Sequence, residues 1–206
     1  MSITKKDAEI QAENIVKRVL QEKKYLSELL DGVTAKDEKV RYPNAIALEI
    51  LSEKNPEIVY PDWEFFVELL DSKNSYHKSI AISTISNLTA IDREKKFEKI
   101  CDHYFNLIDD KSVMVARKLA IFARRIAAAK PNLRSKITSI LLNIDKTHHN
   151  TSRKDLIKGD IINFLSEFFD DAKDKNRIIE FIKKGLKSSS PSTVRNAKEF
   201  ISRYKI

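Results

Sequence analysis

The side chains best suited to chemistry in this 206-residue chain are few and scattered. His148 and His149 are adjacent in the polar stretch "DKTHHNTSRK", and Asp160 lies deep within a basic segment. Adjacent histidines lack the i, i+4 spacing that aims two imidazoles from one helix face at a metal ion. We therefore expect both histidines to be solvated loop residues and expect no metal site.

Nucleophilic and phosphate-binding patterns are equally sparse. The single Cys101 allows no internal disulfide and no cysteine pair for zinc, and its apolar neighbours predict a small buried side chain. The three glycines, Gly32, Gly159 and Gly185, are isolated, so no glycine-rich phosphate loop is present in the sequence. The sequence therefore predicts a non-catalytic protein without a cofactor or a small-molecule substrate.

Basic residues form the most suggestive pattern. The stretch "DDKSVMVARKLAIFARRIAAAKP" carries Arg117, Lys118, Arg124 and Arg125. Arg117 and Arg124 are seven residues apart, as are Lys118 and Arg125, so the members of each pair lie two helical turns apart on the same side of a helix. Four further cations fall in two later helical segments. Together with the four of the quoted stretch they form a set that we call the basic stripe: Arg117, Lys118, Arg124, Arg125, Lys154, Lys158, Arg195 and Lys198. Such a stripe could contact an acidic partner, or it could be an ordinary solvated face.

Charge is unevenly divided along the chain. Residues 1–110 contain 16 Lys/Arg and 21 Asp/Glu, whereas residues 111–206 contain 22 Lys/Arg and 9 Asp/Glu, a net charge of +13. This asymmetry favours an acidic partner for the C-terminal half, because the summed field of a protein steers association.

Composition and patterning indicate an all-α fold. Three Gly and five Pro are few for a loop-rich or all-β protein, and no sustained apolar/polar alternation occurs. The longest apolar runs, such as "LAIFA", are too short to span a bilayer, so we expect no membrane association. The first segment, "MSITKKDAEIQAEN", has no apolar leader region, and this predicts a cytoplasmic location.

An internal period organises the chain. Related segments begin at Leu29 ("LLDGVTAKDEKVRYPNAIALEIL"), Leu69, Leu107, Asn143 and Gly185, at intervals of 40, 38, 36 and 42 residues. Each segment ends one apolar helix, makes a polar turn and opens a second helix, which is typical of an α-solenoid. We predict one domain over 1–206 with units at approximately 13–54, 55–90, 91–129, 130–169 and 170–204.

Both helices of each unit can be placed by apolar periodicity and capping residues. The first helices are predicted near 13–30, 62–70, 92–108, 132–144 and 173–186. The second helices are predicted near 38–54, 75–90, 112–129, 153–169 and 191–204.

The units resemble HEAT repeats. The resemblance lies in an apolar pair followed by Asp, a short turn, and a basic residue before small apolar ones. The acidic positions are Asp31, Asp71, Asp109 and Asp145, and the basic positions are Arg41, Lys78, Arg117, Lys158 and Arg195. The resemblance implies a right-handed α-α superhelix of about five helical pairs, with the second helices lining its concave face. It also implies that these Asp and Arg/Lys residues brace neighbouring turns by charge-assisted hydrogen bonds.

Several functions fit such an array. The first is a non-catalytic adaptor or scaffold that binds an acidic protein segment through the basic stripe. The second is sequence-independent binding of a DNA or RNA backbone by the same stripe, and the third is a structural subunit of a larger assembly. Some HEAT-like proteins are alkylated-DNA glycosylases, but that activity calls for a carboxylate beside aromatic residues, and the only Trp, Trp63, lies far from Asp160 in the sequence.

Overall fold

The computed structural model describes residues 3–206, and every regular element in that range is helical. The α-helices are α1 (Lys5–Gln21), α2 (Tyr25–Thr34), α3 (Glu38–Lys54), α4 (Pro56–Val59), α5 (Trp63–Leu70), α6 (Ser75–Leu88), α7 (Lys96–Asn106), α8 (Val113–Ala129), α9 (Arg134–Leu141), α10 (Thr151–Phe168), α11 (Lys175–Gly185) and α12 (Pro191–Tyr204). Short 3-10 turns occupy Tyr60–Asp62, Leu107–Asp109, Pro131–Leu133 and Ile144–Lys146. The all-α prediction is confirmed. Among the helices of this range, none is long and apolar enough to cross a membrane.

The chain divides into two compact units, Met1–Lys95 and Lys96–Ile206, which we call unit 1 and unit 2. The boundary falls within the third predicted repeat, 91–129, just before α7. The assignment of 1–206 to a single domain stays a prediction, and its first two residues lie outside the described part of the chain.

In unit 1, α3 packs against both α1 and α6, while α2 packs on α3 and α5 on α6. The apolar face predicted for α5 is largely buried, with Trp63, Phe66 and Leu70 at most 1% exposed. The predicted first helix over 13–30 is wrong, because the chain becomes extended at Glu22 and separates α1 from α2. α1 and α2 both pack chiefly on α3 and make few contacts with each other.

The second helices agree closely with prediction. α3, α6, α8, α10 and α12 each begin and end within two residues of the predicted bounds. Local capping explains this agreement: the side chains of Asn74, Asn150 and Ser190 each accept a hydrogen bond from a backbone N–H in the first turn of the helix that follows. Pro191 occupies the first position of α12, where its missing N–H is not needed.

In unit 2, three helices form a row with α10 in the centre and α8 and α12 on either side. The face of α8 that packs in the unit carries Ala116, Ala120, Ala123 and Ala127 at spacings of four, three and four, all fully buried. Small side chains on one helix face let the neighbouring backbone approach closely. α9 and α11 pack against this row. Each helix of the row also carries solvent-exposed residues, among them Arg124 on α8, Asn163 on α10 and Lys198 on α12.

Gly159 marks the closest approach of α10 and α12. A Cβ at this position would lie 2.7 Å from the hydroxyl oxygen of Thr193, which is fully buried and donates a 2.6 Å hydrogen bond to the carbonyl of Asp155. We expect Gly159→Ala to lower the free energy of unfolding by about 1–2 kcal/mol, because overpacking outweighs the gain in helix propensity.

The control for this prediction is a double-mutant cycle measured by urea unfolding. Thr193→Ala removes the clashing hydroxyl, so Gly159→Ala should become neutral or stabilising in that background. Additive effects of the two substitutions would contradict the steric explanation.

Candidate binding surface of unit 2

The row of α8, α10 and α12 brings the whole basic stripe into one unit. Four of its residues lie on α8, Lys154 and Lys158 on α10, and Arg195 and Lys198 on α12. The structure nevertheless gives these eight cations different environments, and the differences separate cations in buried structural contacts from more exposed ones.

Arg117 is a structural tie between two helices. Its Nε donates to Asp160 Oδ2 at 2.7 Å and its Nη2 donates to Oδ1 at 3.3 Å, so that α8 is linked to α10 by a two-pronged contact. The hydrogen bond to Asp160 raises the pKa of the Arg117 guanidinium. Burial raises the pKa of Asp160, although Arg117 lowers it. Asp160 would therefore be an uncompensated buried carboxylate without Arg117.

Lys154 and Lys158 anchor the start of α10. Lys158 is 15% exposed, and its Nζ lies 2.8 Å from Asp145 Oδ1 and 3.8 Å from Asp155 Oδ1. Lys154 Nζ donates to the backbone carbonyl of Asp145 at 2.9 Å. These two lysines thus hold the preceding turn against α10.

Asp155 connects the same region to the turn before α12. One of its oxygens accepts hydrogen bonds from the Ser189 backbone N–H at 2.7 Å and from the Ser189 hydroxyl at 2.8 Å. Burial opposes ionisation here, but the hydrogen bonds from Ser189 and Ser188 and the charge of Lys158 outweigh it and hold the pKa of Asp155 below its usual range. The carboxylate therefore belongs to the internal bracing of unit 2.

Two exposed cations of the basic stripe have carboxylates beside them. Arg124 Nη1 lies 3.6 Å from Glu167 Oε2, across α8 and α10, and Arg195 Nε lies 3.9 Å from Glu199 Oε1 within α12. Both contacts are long and solvated, and such surface pairs contribute about 0–1 kcal/mol. The row consequently presents carboxylates beside the cations of the basic stripe.

Lys118 and Arg125 lie over an aromatic ring. The Lys118 ammonium is 5.1 Å and the Arg125 guanidinium 5.3 Å from the ring centre of Phe122, a cation–π arrangement. Phe122 is only half-buried. An aromatic side chain thus lies among the basic positions, and the sequence signal for it is a cation four residues before Phe122 and another three residues after it.

Two adjoining hollows occupy this surface, and Arg124 and Glu167 line both. The first, of about 320 Å³, is lined by Ile121, Phe122, Arg124, Arg125, Ala128 and Glu167. The second, of about 450 Å³, is lined by Arg124, Asn163, Ser166, Glu167, Asn196, Glu199, Phe200 and Arg203. We call them the apolar hollow and the amide hollow. The exposed side chains of Met114 and Ile121 extend the apolar character along α8.

The repeated Asp residues brace turns, as expected, where the structure shows their contacts. Asp145 binds Lys158, the predicted pairing. Asp109 instead accepts a 2.8 Å hydrogen bond from the backbone N–H of His148, in the turn of the next repeat. The adjacent His149 is 3% exposed, so the prediction that both histidines are solvated is wrong for His149.

Asp160 and Trp63, the residues weighed for a glycosylase activity, are an ion-paired side chain and a buried side chain in the structure. The Asp160 carboxylate is bound by Arg117, and its side chain is 12% exposed. Trp63 is buried in α5 of unit 1 at 1% exposure. Neither side chain is available to hold or attack a nucleotide.

Comparison with known proteins yields a fold and no family. No family model matches the chain, and no curated protein matches it. Among solved structures, the crystal structure of an engineered protein, determined as a structural genomics target, is similar, with a TM-score of 0.53 and 17% sequence identity. The match covers 97% of this chain and 89% of that chain. At this identity the likeness concerns the helical fold alone.

Proposed function

We propose that this chain is a non-catalytic HEAT-like repeat scaffold that binds an acidic segment of a protein partner across the row of α8, α10 and α12. The observation that carries the proposal is the pair of adjoining hollows, one apolar and bordered by cations, the other lined by two asparagines among charged side chains of both signs. In the proposed right-handed stack, these helices are the second helices and their free face is the concave one.

The apolar hollow suits one apolar side chain with acidic neighbours. Ile121, Phe122 and Ala128 offer apolar surface, and Lys118 and Arg125 place positive charge beside it. Carboxylates near an anchored side chain would then gain charge-assisted contacts.

The amide hollow suits a peptide backbone. Asn163 and Asn196 carry amide donors and acceptors, which match the C=O and N–H of an extended chain. Asn196 Nδ2 already donates one hydrogen bond to the Gly159 carbonyl at 3.0 Å, and this bond holds the amide in place beside the hollow. Adjacent helices lie about 8–10 Å apart, so the row is about 20 Å wide. An extended segment of about six residues spans that distance at about 3.3 Å per residue.

A nucleic-acid backbone fits the same surface less well. A phosphodiester chain carries a negative charge at every nucleotide and offers no amide donors, and Glu167 and Glu199 line the hollow it would occupy. Two stripe cations, Arg117 and Lys158, are also engaged in internal ion pairs. Duplex or single-stranded nucleic acid remains the alternative to be tested beside peptides.

The test begins with selection from a phage-displayed library of ten-residue segments on the full chain, followed by fluorescence anisotropy of labelled selected peptides. We expect segments rich in Asp and Glu with one large apolar residue. We expect Lys118→Glu/Arg125→Glu to weaken their binding at least tenfold, because both cations border the apolar hollow.

The matched control is Lys183→Glu/Lys184→Glu, which makes the same charge change at exposed positions on α11. Equal weakening by both variants would show only diffuse attraction and would overturn the proposed site. Random duplex DNA and single-stranded RNA are titrated in parallel at about 50 and 200 mM salt. Tight binding with a slope near −0.9 per phosphate contact on duplex would favour the nucleic-acid alternative.

A further inference from the structure

Three metal-ligating side chains converge in unit 2 away from the row of hollows. Asp109 ends the 3-10 turn that follows α7, and His148 and His149 lie in the loop before α10. One ligand atom from each of the three lies within 4.8 Å of the other two. The sequence separates Asp109 from His148 by 39 residues, so only the fold brings them together.

Asp109 fixes the position of this loop. Its Oδ1 accepts the 2.8 Å hydrogen bond from the His148 backbone N–H and lies 2.5 Å from His148 Nδ1. The two side chains are about half exposed, and therefore an ion can reach them from solvent.

His149 supplies the observation that points to a ligand. Its Nε2 lies 3.2 Å from the carbonyl oxygen of Ile108, and a carbonyl can only accept, so Nε2 carries the proton and donates. In the neutral ring Nδ1 then holds a lone pair. Nδ1 is buried, and no described residue donates a hydrogen bond to it.

An imidazole that donates from one nitrogen to a backbone carbonyl and leaves the other nitrogen open has the arrangement of a metal-ligating histidine. A buried imidazole with a purely structural role would be expected to use both of its nitrogens, because an unpaired buried polar atom costs free energy.

We propose that Asp109, His148 and His149 bind a divalent transition-metal cation, with zinc as the first candidate. Two imidazole nitrogens and one carboxylate oxygen suit zinc, cobalt, nickel or copper better than the oxygen-preferring calcium or magnesium. Zinc bonds of about 2.0–2.2 Å place tetrahedral ligands about 3.4 Å apart. The three ligand atoms now lie within 4.8 Å of one another, so shifts of about an ångström bring them to that spacing. Water completes the coordination.

The bound ion links two turns of consecutive repeats. The Asp109 turn lies between α7 and α8, and the histidine loop precedes α10. Coordination therefore adds a metal cross-link to the hydrogen bonds that Asp109 and the Ile108 carbonyl already make with this loop. From this position the ion would stabilise unit 2 by joining the two turns, and its binding would not depend on a ligand in the apolar or the amide hollow.

The test is titration of the full chain with ZnCl2 by calorimetry, together with the visible spectrum of its Co²⁺ complex. We expect one ion per chain and a rise in Tm with Zn²⁺ that EDTA reverses, because a ligand that binds only the folded state stabilises it. His148→Gln and Asp109→Asn should each weaken Zn²⁺ binding at least tenfold, and both replace exposed side chains without disturbing the core.

The control is His77→Gln in unit 1, which should leave the affinity unchanged. Equal affinity in His148→Gln and His77→Gln, or binding of several weak ions without a change in Tm, would overturn the proposed site. A nitrogen-15 NMR spectrum of the metal-free chain gives a second check, since His149 protonated at Nδ1 in the neutral ring would also exclude the proposed ligand set.

Discussion

Phe164→Ala should lower the free energy of unfolding by about 3–5 kcal/mol, the range for removing a fully buried aromatic side chain. Phe164 is 0% exposed in α10, the central helix of the row in unit 2. The missing ring would leave a cavity between helices whose backbones are held by several other contacts, so collapse would be incomplete. Urea unfolding followed by far-ultraviolet circular dichroism measures the change.

Phe168 provides the matched control one turn further along the same helix. Its ring centre is 5.2 Å from that of Phe164, but Phe168 is only half-buried and lies beneath the guanidinium of Arg134. Phe168→Ala should therefore cost clearly less, about 1–2 kcal/mol. Equal losses for the two variants would mean that α10 does not bury its Phe164 face as described.

Arg117→Ala should cost about 2–3 kcal/mol although Arg117 stands in the predicted binding stripe. The substitution leaves the Asp160 carboxylate, 12% exposed, without its two hydrogen bonds from the guanidinium. Breaking a buried pair costs about 3–5 kcal/mol, and the 33% exposure of Arg117 reduces that figure. Urea unfolding at pH 7 measures it.

The pH dependence identifies the cause. The pKa of Asp160 is already raised by burial, and loss of Arg117 raises it further. When the folded-state pKa of a carboxyl group is raised, the protein loses stability as the pH rises from the unfolded-state pKa to the folded-state pKa of that group. At lower pH the group is protonated in both states, so the cost of burying its charge disappears. The deficit of Arg117→Ala relative to the natural protein should thus shrink as the pH falls from about 7 to about 4. A deficit that stays constant would contradict this origin.

The double variant Arg117→Met/Asp160→Leu separates binding from stability. An apolar pair of similar volume removes both the charge and its desolvation cost, so most of the stability should return. Peptide binding should persist in this variant, because it keeps Arg124 and Arg125, which line the apolar hollow, and Lys118, which lies over the Phe122 ring.

Local signals made the second helices predictable. Each carries an apolar face of period 3.6, and the capping residues before α6, α10 and α12 act on the backbone of their own first turns. The break between α1 and α2 could not be read in this way. Gln21, Glu22, Lys23 and Lys24 are all good helix formers, so local propensity gives no sign of the break, and only the tertiary structure shows α1 and α2 packed separately on α3.

The binding surface was predictable only in part. The eight cations of the basic stripe do lie on one row of helices, as their positions in the repeat indicated. Their partners could not be inferred, because Arg117 meets Asp160 and Arg124 meets Glu167 at separations of 43 residues. The cluster of His148 and His149 with Asp109 could not be inferred either, because the sequence shows the two histidines only as part of a polar loop.

The amino-acid sequence by itself determined the helical class, the bounds of the second helices and the charge of the C-terminal half. These properties follow from residues within a few positions of one another or from simple composition. The tertiary structure alone decided which cations are tied, which hollows form and which imidazole nitrogen is left open. Those depend on the packing of helices about 40 residues apart, and a buried charge or lone pair acquires its energetic meaning only from the neighbours that such packing supplies.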